Sequence, residues 1–118
     1  MNSLQEAKAI AKILDDRKGL NVRVLKIADI SSLADYMVIA TGNSSTHVKS
    51  LADYGEVGMD EQGVSVSHIA GHRSDTWILL DYVDVIVHVF NEESRQYYDL
   101  DRLWEDAEIV DISDIVTE

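Results

Sequence analysis

Residues 77–90 are Trp-Ile-Leu-Leu-Asp-Tyr-Val-Asp-Val-Ile-Val-His-Val-Phe, and they belong to the most informative part of the chain. Two apolar runs rich in β-branched residues, 77–80 and 85–90, flank the short segment Asp-Tyr-Val-Asp. Runs of this length on either side of a tight turn are typical of a β-hairpin. The sequence therefore predicts two antiparallel strands that are joined at residues 81–84.

A short helix is predicted directly after this hairpin. Asn91 has the residue type of an N-cap, and Glu92 and Glu93 stand in the first turn, where the helix dipole favours negative charge. Asp99 is predicted to cap one more helical turn, which ends at Trp104.

The first 27 residues predict one helix and one strand. Ser3 and Glu6 have the spacing of a capping box, and the apolar residues that follow recur on one helical face. Residues 4–18 are therefore predicted to form an amphipathic helix, with Gly19 as its left-handed cap. Residues 22–27 are predicted to form the first strand.

The middle of the chain predicts a buried strand, a helix and a third strand. The continuous apolar run 36–40 indicates a central strand that is covered on both faces. A second helix is predicted to take its cap from residues 41–45 and to end at Gly63. Residues 64–67 alternate between apolar and polar types and are predicted to be a strand with one solvent-exposed face. Residues 70–75 are predicted to be a loop.

These elements predict an α/β domain. A helical connection between the second and third strands allows them to be parallel, whereas the hairpin is antiparallel. The expected product is a mixed, mostly five-stranded sheet with helices packed on it, formed by residues 1–107. Residues 108–118 are predicted to be an acidic C-terminal tail, either mobile and solvating or docked through its apolar side chains.

Composition narrows the class of partner. The chain has 118 residues, with 22 acidic and 10 basic side chains and a net charge of −12. This charge repels nucleic acid backbones, so a role beside RNA requires docking on a basic protein; the alternative is that the charge only aids solubility. The chain has no cysteine and no apolar run long enough for a membrane span, and we expect a cytoplasmic protein.

Candidate catalytic and metal-binding patterns are weak. His68 and His72 are four residues apart but lie outside a predicted helix, and His88 in an apolar strand is typical of a structural histidine. The Thr-Gly-Asn-Ser-Ser segment at 41–45 matches no phosphate-binding motif and is interpreted as a helix cap. We predict no catalytic residue, no metal and no cofactor.

Several segments together resemble the Iojap family, also called ribosomal silencing factor S. They follow one another in the family's order, and they are 35–42 (Asp-Tyr-Met-Val-Ile-Ala-Thr-Gly), 44–48 (Ser-Ser-Thr-His-Val), the hairpin segments 77–81 and 84–88, and the closing helix 93–104. The resemblance implies a compact α/β fold with a nucleotidyltransferase-like outline, and it implies no catalysis.

The resemblance also implies a function and a partner. Family members bind the large ribosomal subunit through its ribosomal protein fourteen, block joining of the small subunit and so repress translation. On this basis Trp77 and Tyr82 are predicted to be apolar anchors, and Asp81 and Asp84 to face basic residues. The alternative function is a nucleotide-binding or nucleotidyltransferase-like enzyme, although Asp81 and Asp84 lack the spacing of a two-metal carboxylate pair.

The simpler interpretations of these residues stay open. Physical reasoning alone favours a core position for Trp77, and the two aspartates also suit turn chemistry. Tyr97, Tyr98 and Trp104 are expected to pack in the core, with a homodimer contact of the free protein as the alternative.

One residue departs from the family pattern in the hairpin turn. Family members usually have glycine where this chain has Val83. A β-branched residue resists positive φ, so either the turn is predicted to be of another type, or the hairpin is predicted to be strained or re-registered.

Overall fold

A computed structural model describes residues 1–71, 73 and 76–116 of the chain. Part of the predicted 70–75 loop, His72 and the last two residues of the tail lie outside the described residues. Within them no helix is both long and apolar enough to cross a membrane. The helices are α1 (Ser3–Asp16), α2 (Ser45–Glu61), α3 (Glu92–Tyr98) and α4 (Leu100–Leu103); the strands are β1 (Leu20–Lys26), β2 (Tyr36–Gly42), β3 (His68–Ala70), β4 (Trp77–Asp81), β5 (Val85–Asn91) and β6 (Glu108–Ile109).

The strands form one mixed sheet in the order β3-β4-β5-β2-β1-β6. The pair β2–β5 is parallel, and the other four neighbouring pairs are antiparallel. The predicted hairpin and the mixed sheet are therefore confirmed. The prediction of five strands is wrong, because β6 adds a sixth strand to the described sheet by pairing Ile109 with Leu25 of β1.

The sixth strand belongs to the segment that was predicted as a tail. Ile112 is buried in the core, and Val110, Ile115 and Val116 pack against the same core. Of the two interpretations left open for this segment, the structure has the docked one over residues 108–116. The boundary of an independent domain at residue 107 stays a prediction.

The third strand lies later in the chain than predicted. The alternating residues 64–67 are not in the sheet, and β3 begins at His68, which pairs with Asp81 of β4. The physical reason is the length of β4, because beyond Asp81 the chain turns towards β5. The Ser67 N–H still donates to the carbonyl of Asp81 at 2.8 Å, but the structure describes no strand opposite residues 64–66. Val64 and Val66 instead pack as partly buried side chains against the core.

α1 has a capping box and a left-handed residue at its ends, as predicted, but at other residues than predicted. The capping box is formed by Asn2 and Gln5, whose side chains each accept from the other's backbone N–H at 2.8 and 2.9 Å, and not by Ser3 and Glu6. At the other end Lys18, and not Gly19, has the positive φ, of 68°. Glycine is needed at 19 for space, because a Cβ there would lie 2.8 Å from the carbonyl oxygen of Leu14.

The sheet has two faces with different coverings. The helical face is covered by α1 and α2, and its buried cluster includes Ile10, Leu51 and Leu80. We call the opposite side the open face; its smaller cluster contains buried residues such as Ile39 and Phe90, with partly buried residues packed against them (Trp77, Leu79, Leu100 and Trp104). The strands β2 and β5 are buried on both faces, as predicted for 36–40.

A buried arginine fixes α3 to the sheet. Arg95 is 8% exposed, and its guanidinium donates to both carboxylate oxygens of Asp101 at 3.1 Å, to the carbonyl of Asn21 at 2.7 Å and to Thr41 Oγ1 at 3.0 Å. Asn91 caps α3 as predicted. Asp99 is the N-cap residue of α4 and Trp104 its C-cap, as predicted, but Asp99 has a left-handed φ of 46° and its side chain makes no cap hydrogen bond.

Candidate functional site

The alternation of β4 divides its side chains between the two faces. Ile78 and Leu80 are buried on the helical face, whereas Trp77, Leu79 and Asp81 are half-buried on the open face. Successive side chains of a strand point to opposite sides of the sheet, which produces this division. The open face therefore presents one polar and two apolar side chains from the strand that contains the predicted anchor.

Cross-strand neighbours complete this part of the open face. Phe90 of β5 lies opposite Trp77, and His88 of β5 lies opposite Leu79. On the other side Ala70 of β3 lies opposite Leu79. Directly opposed residues of antiparallel strands have their side chains on the same face, so these groups form one continuous surface.

Four aromatic side chains, which we call the aromatic row, lead from the core to the surface: Phe90, Trp77, Tyr98 and Tyr97. The centroid of the Trp77 ring lies 5.1 Å from that of Phe90 and 4.5 Å from that of Tyr98, and the rings of Tyr98 and Tyr97 are 5.0 Å apart. Phe90 is buried, whereas Tyr98 is 47% and Tyr97 is 80% exposed. Large aromatic side chains that are supported from below and open above are the usual anchors of protein interfaces.

The indole of Trp77 is hydrogen-bonded to a buried histidine. Its Nε1–H group donates to His88 Nδ1 at 3.0 Å. Burial lowers the pKa of His88 to about 4, so the imidazole is neutral near pH 7 and has a free lone pair for this bond. The predicted structural role of His88 thus includes a direct contact with the predicted anchor.

A shallow cavity of about 240 Å³ lies beside Trp77, and it is lined by Ala70, Gly71, Trp77 and Leu79. Gly71 has a φ of 73°, and a Cβ there would lie 2.5 Å from the carbonyl oxygen of Trp77. Glycine is therefore required at this position for the loop to pass so close to β4. A concave apolar surface of this kind suits an apolar side chain of a protein partner.

The turn between β4 and β5 is strained. Val83 has a φ of 73°, and the Asp84 N–H donates to the carbonyl of Tyr82 at 2.9 Å, which is the pattern of a positive-φ γ-turn. Asp81 Oδ1 accepts from the Val83 N–H at 2.8 Å, so the turn-chemistry interpretation of Asp81 is realised. Of the alternatives predicted for the turn at Val83, the structure therefore has the strained one.

Tyr82 lies on the other side of the sheet from Trp77. It is 6% exposed and belongs to the cluster of the helical face. Burial, together with the carboxylates of Glu56, Asp60 and Glu6, raises the pKa of its phenol to about 12. Its hydroxyl has no hydrogen-bond partner among the described residues.

The predicted site residues are thus not brought together in one patch. Trp77 and Asp81 share the open face, but they stand at opposite ends of β4. Tyr82 is buried on the helical face, and Asp84 is exposed at the tip of the turn.

Four residues of this surface were not among the predicted site residues. Leu79 was recoverable, because it shares the parity of Trp77 in the strand. The contact of His88 with Trp77 follows from the register of β4 with β5. The exposure of Tyr98 and Tyr97 corrects the expectation that they pack in the core; it depends on how α3 docks, and no local pattern reports that.

The predicted helix cap after β2 also has its expected structure. Ser44 accepts from the His47 N–H at 3.1 Å, and the Asn43 N–H donates to His47 Nδ1 at 2.9 Å. Two backbone donors of this turn are therefore used within the protein. Over the described parts of the chain, no group of three or more His, Asp or Glu side chains is arranged to hold a metal ion.

Comparison with known proteins gives a consistent result. A family model described as "Ribosomal silencing factor during starvation" matches residues 1–118. A ribosomal silencing factor of Halalkalibacterium halodurans is 32% identical over 99% of this chain and 100% of its own length. A crystal structure of a Chromobacterium violaceum protein is similar, with a TM-score of 0.86 and 37% identity over 89% of this chain and 88% of that one.

A more distant similarity is found in mitochondria. A mouse protein named "Mitochondrial assembly of ribosomal large subunit protein 1" is 25% identical over 80% of this chain. This chain corresponds to 43% of the length of the mouse protein.

Proposed function

The chain belongs to the family of ribosomal silencing factors, and we propose that it represses translation by binding the large ribosomal subunit through ribosomal protein fourteen and sterically blocking the joining of the small subunit. The family role is ribosome-associated silencing, and the family name denotes a regulatory factor rather than an enzyme. The identity of the receptor protein and the steric mechanism are the proposal.

The aromatic row is the observation that supports docking on a protein. It offers a half-buried indole and a half-exposed phenol on a rigid sheet, beside a cavity lined by apolar groups. Such surfaces gain affinity by burying aromatic area at a small cost in side-chain entropy. A protein surface, rather than an RNA backbone, is the partner with which this chemistry is compatible.

The charge of the chain supports a basic partner. A net charge of −12 disfavours contact with phosphates and favours approach to a protein that is rich in Lys and Arg. Asp81, on the same face as Trp77, and Asp84, at the tip of the turn, are proposed to contribute to this steering at the rim. Rim charges of this kind affect the association rate more than the final affinity.

We therefore propose a revised site. Trp77 remains the main anchor, and Leu79 and Tyr98 are added because they border it on the open face. Tyr82 is proposed to support the turn by packing under it on the helical face, and not to contact the partner.

We further propose a partner subunit, a cellular location and an oligomeric state. The name of the mouse relative concerns assembly of a large ribosomal subunit, which is consistent with the large subunit as partner here. We propose that the protein acts in the cytoplasm, and that the exposed Tyr97 and Leu103 form a homodimer contact when it is free. The nucleotidyltransferase-like outline stays a prediction of the family resemblance.

Co-sedimentation with isolated large and small subunits tests the function. The wild-type protein is compared with Trp77→Glu on the open face and with Val57→Glu, an exposed apolar position on α2, as the matched control. We expect the wild type and the control to pellet only with the large subunit, and Trp77→Glu to lose roughly tenfold or more in affinity.

Each other result has a definite meaning. Binding of the wild type to neither subunit would refute the proposed function. Equal binding of all three proteins would keep the function and refute the site. Pull-down by purified ribosomal protein fourteen and a subunit-joining assay on sucrose gradients then test the receptor and the steric mechanism separately.

A further inference from the structure

We infer that His88 is a positioning residue of the open face: its Nδ1 atom accepts a hydrogen bond from the Trp77 indole and holds that ring in the orientation that a partner contacts. The inference rests on the proposed function for the role of Trp77. The contact between the two side chains is itself a property of the free protein.

The geometry favours a single orientation of the indole. Phe90 supports the Trp77 ring from the core at 5.1 Å, and Tyr98 packs on it from α3 at 4.5 Å. Ring packing alone tolerates a flip of the indole about its Cβ–Cγ bond, because the contacting surfaces are apolar on either side. The 3.0 Å bond from Nε1 to His88 Nδ1 distinguishes between these orientations, because Nε1–H is the only polar group of the indole.

The acceptor is held in place by its own surroundings. His88 is buried in the middle of β5, with Leu79 opposite it on β4 and Ile39 opposite it on β2. Its ring stacks on that of Phe90, with an interplanar angle of 6° and a centroid distance of 5.9 Å. An imidazole that accepts at Nδ1 and is neutral has its proton on Nε2, so the bond also fixes the tautomer.

This arrangement preorganises an interface anchor. A half-buried tryptophan that is free to change rotamer must be ordered when a partner binds, and that ordering weakens the complex. A ring already fixed in the bound orientation avoids this loss. Removal of the acceptor is therefore expected to weaken binding without removing any group that touches the partner.

Two substitutions separate the acceptor from the packing. In His88→Asn the amide Oδ1 atom occupies the place of Nδ1 and keeps the acceptor, whereas His88→Leu has similar size and no acceptor. We expect the affinity of His88→Asn for large subunits to stay within about twofold of wild type, and that of His88→Leu to fall roughly three- to tenfold. Thermal unfolding of both variants is measured in parallel, so that a general loss of folding is recognised.

A spectroscopic readout tests the contact without the ribosome. The indole N–H resonances of the two tryptophans are assigned with Trp104→Phe, and the solvent exchange of the Trp77 N–H is then measured in each variant. Exchange is expected to be slow in wild type and His88→Asn and faster in His88→Leu.

The outcomes that overturn the inference are separable from failure of the proposed function. Equal binding of the Leu and Asn variants, whether strong or weak, would show that the acceptor does not matter. If the wild type itself fails to bind large subunits, the proposed function is wrong, and the exchange experiment decides the inference alone. Equal exchange in the Leu and Asn variants then overturns it.

Discussion

Leu79 and Leu80 are neighbours in β4, yet their side chains have opposite surroundings. Leu80 is fully buried on the helical face, in the cluster that α1 and α2 cover, whereas Leu79 lies half-buried on the open face beside Trp77. The same residue type in the same strand is therefore fully covered by helices on one side of the sheet and partly exposed on the other. Apolar area that the chain itself leaves uncovered on a rigid sheet is available to a partner.

The largest expected effect is a loss of stability from a substitution on the helical face. Leu80→Ala is expected to lower the free energy of unfolding by about 2–5 kcal/mol, because it leaves a cavity in a closed core. Leu79→Ala is expected to cost less than about 1 kcal/mol and to weaken binding to large subunits instead. Urea denaturation and co-sedimentation of both variants check this pair. Equal destabilisation would mean that the open face is as much a core as the helical face.

The second prediction uses pH to probe the buried acceptor on the open face. The pKa of His88 is about 4 in the folded protein, against 6.5 for an ordinary histidine, so the unfolded state takes up this proton first as the pH falls. His88 should therefore contribute a loss of stability of about 3 kcal/mol between these two values. Urea denaturation from about pH 7 to about pH 4 should give a shallower pH dependence for His88→Asn than for wild type. Parallel curves would contradict a buried neutral imidazole.

The third prediction compares two tyrosines of similar exposure on opposite faces. Tyr98 is 47% exposed and stacks on Trp77, and Tyr54 is 44% exposed on α2, under the Arg17 guanidinium. Tyr98→Ala is expected to weaken binding to large subunits by about 1–2 kcal/mol, and Tyr54→Ala to leave it unchanged. Co-sedimentation titrations measure both. The reverse ranking would move the docking surface to the helices.

The smallest expected effect concerns the turn between β4 and β5, which places Tyr82 on the helical face. Val83→Gly is expected to raise the free energy of unfolding by roughly 0.5–1 kcal/mol, because glycine tolerates the positive φ of this position. Val83→Ala keeps the positive-φ penalty and serves as the control. Thermal and urea unfolding give the stabilities. A large change in ribosome binding by Val83→Gly would show that the strained turn is itself part of the interface.

The parts of the fold that depend on local sequence were predictable, and the parts that depend on distant strands were not. The hairpin, β2 and the cap of α3 depend on neighbours in the chain, and they lie where local patterns put them. The positions of β3 and β6 depend on pairing with strands that are distant in the sequence; the predicted bounds of β3 were wrong, and β6 was not predicted as a strand. Membership of the family was predictable because several short patterns occur in the right order.

The candidate site was predicted in part, and one error was avoidable. Tyr82 has the same parity as Ile78 and Leu80, so the alternation of β4 carries it to the helical face, away from Trp77. Resemblance alone had grouped these two aromatic residues together. The exposure of Tyr98 was not predictable in this way, because it follows from the anchoring of α3 by Arg95 to residues far away in the sequence.

β6 is the last of the described strands along the chain, and this order has a consequence for the synthesis of the protein. The outer edge of β1 is paired by Glu108 and Ile109, and the Val110 N–H donates to the carbonyl of Val24 at 2.8 Å. During synthesis this edge is therefore unprotected until residues 108–112 have emerged from the exit tunnel, and unpaired edges are where nascent chains associate wrongly. A factor whose family silences ribosomes thus completes the described sheet only after its other five strands have been made.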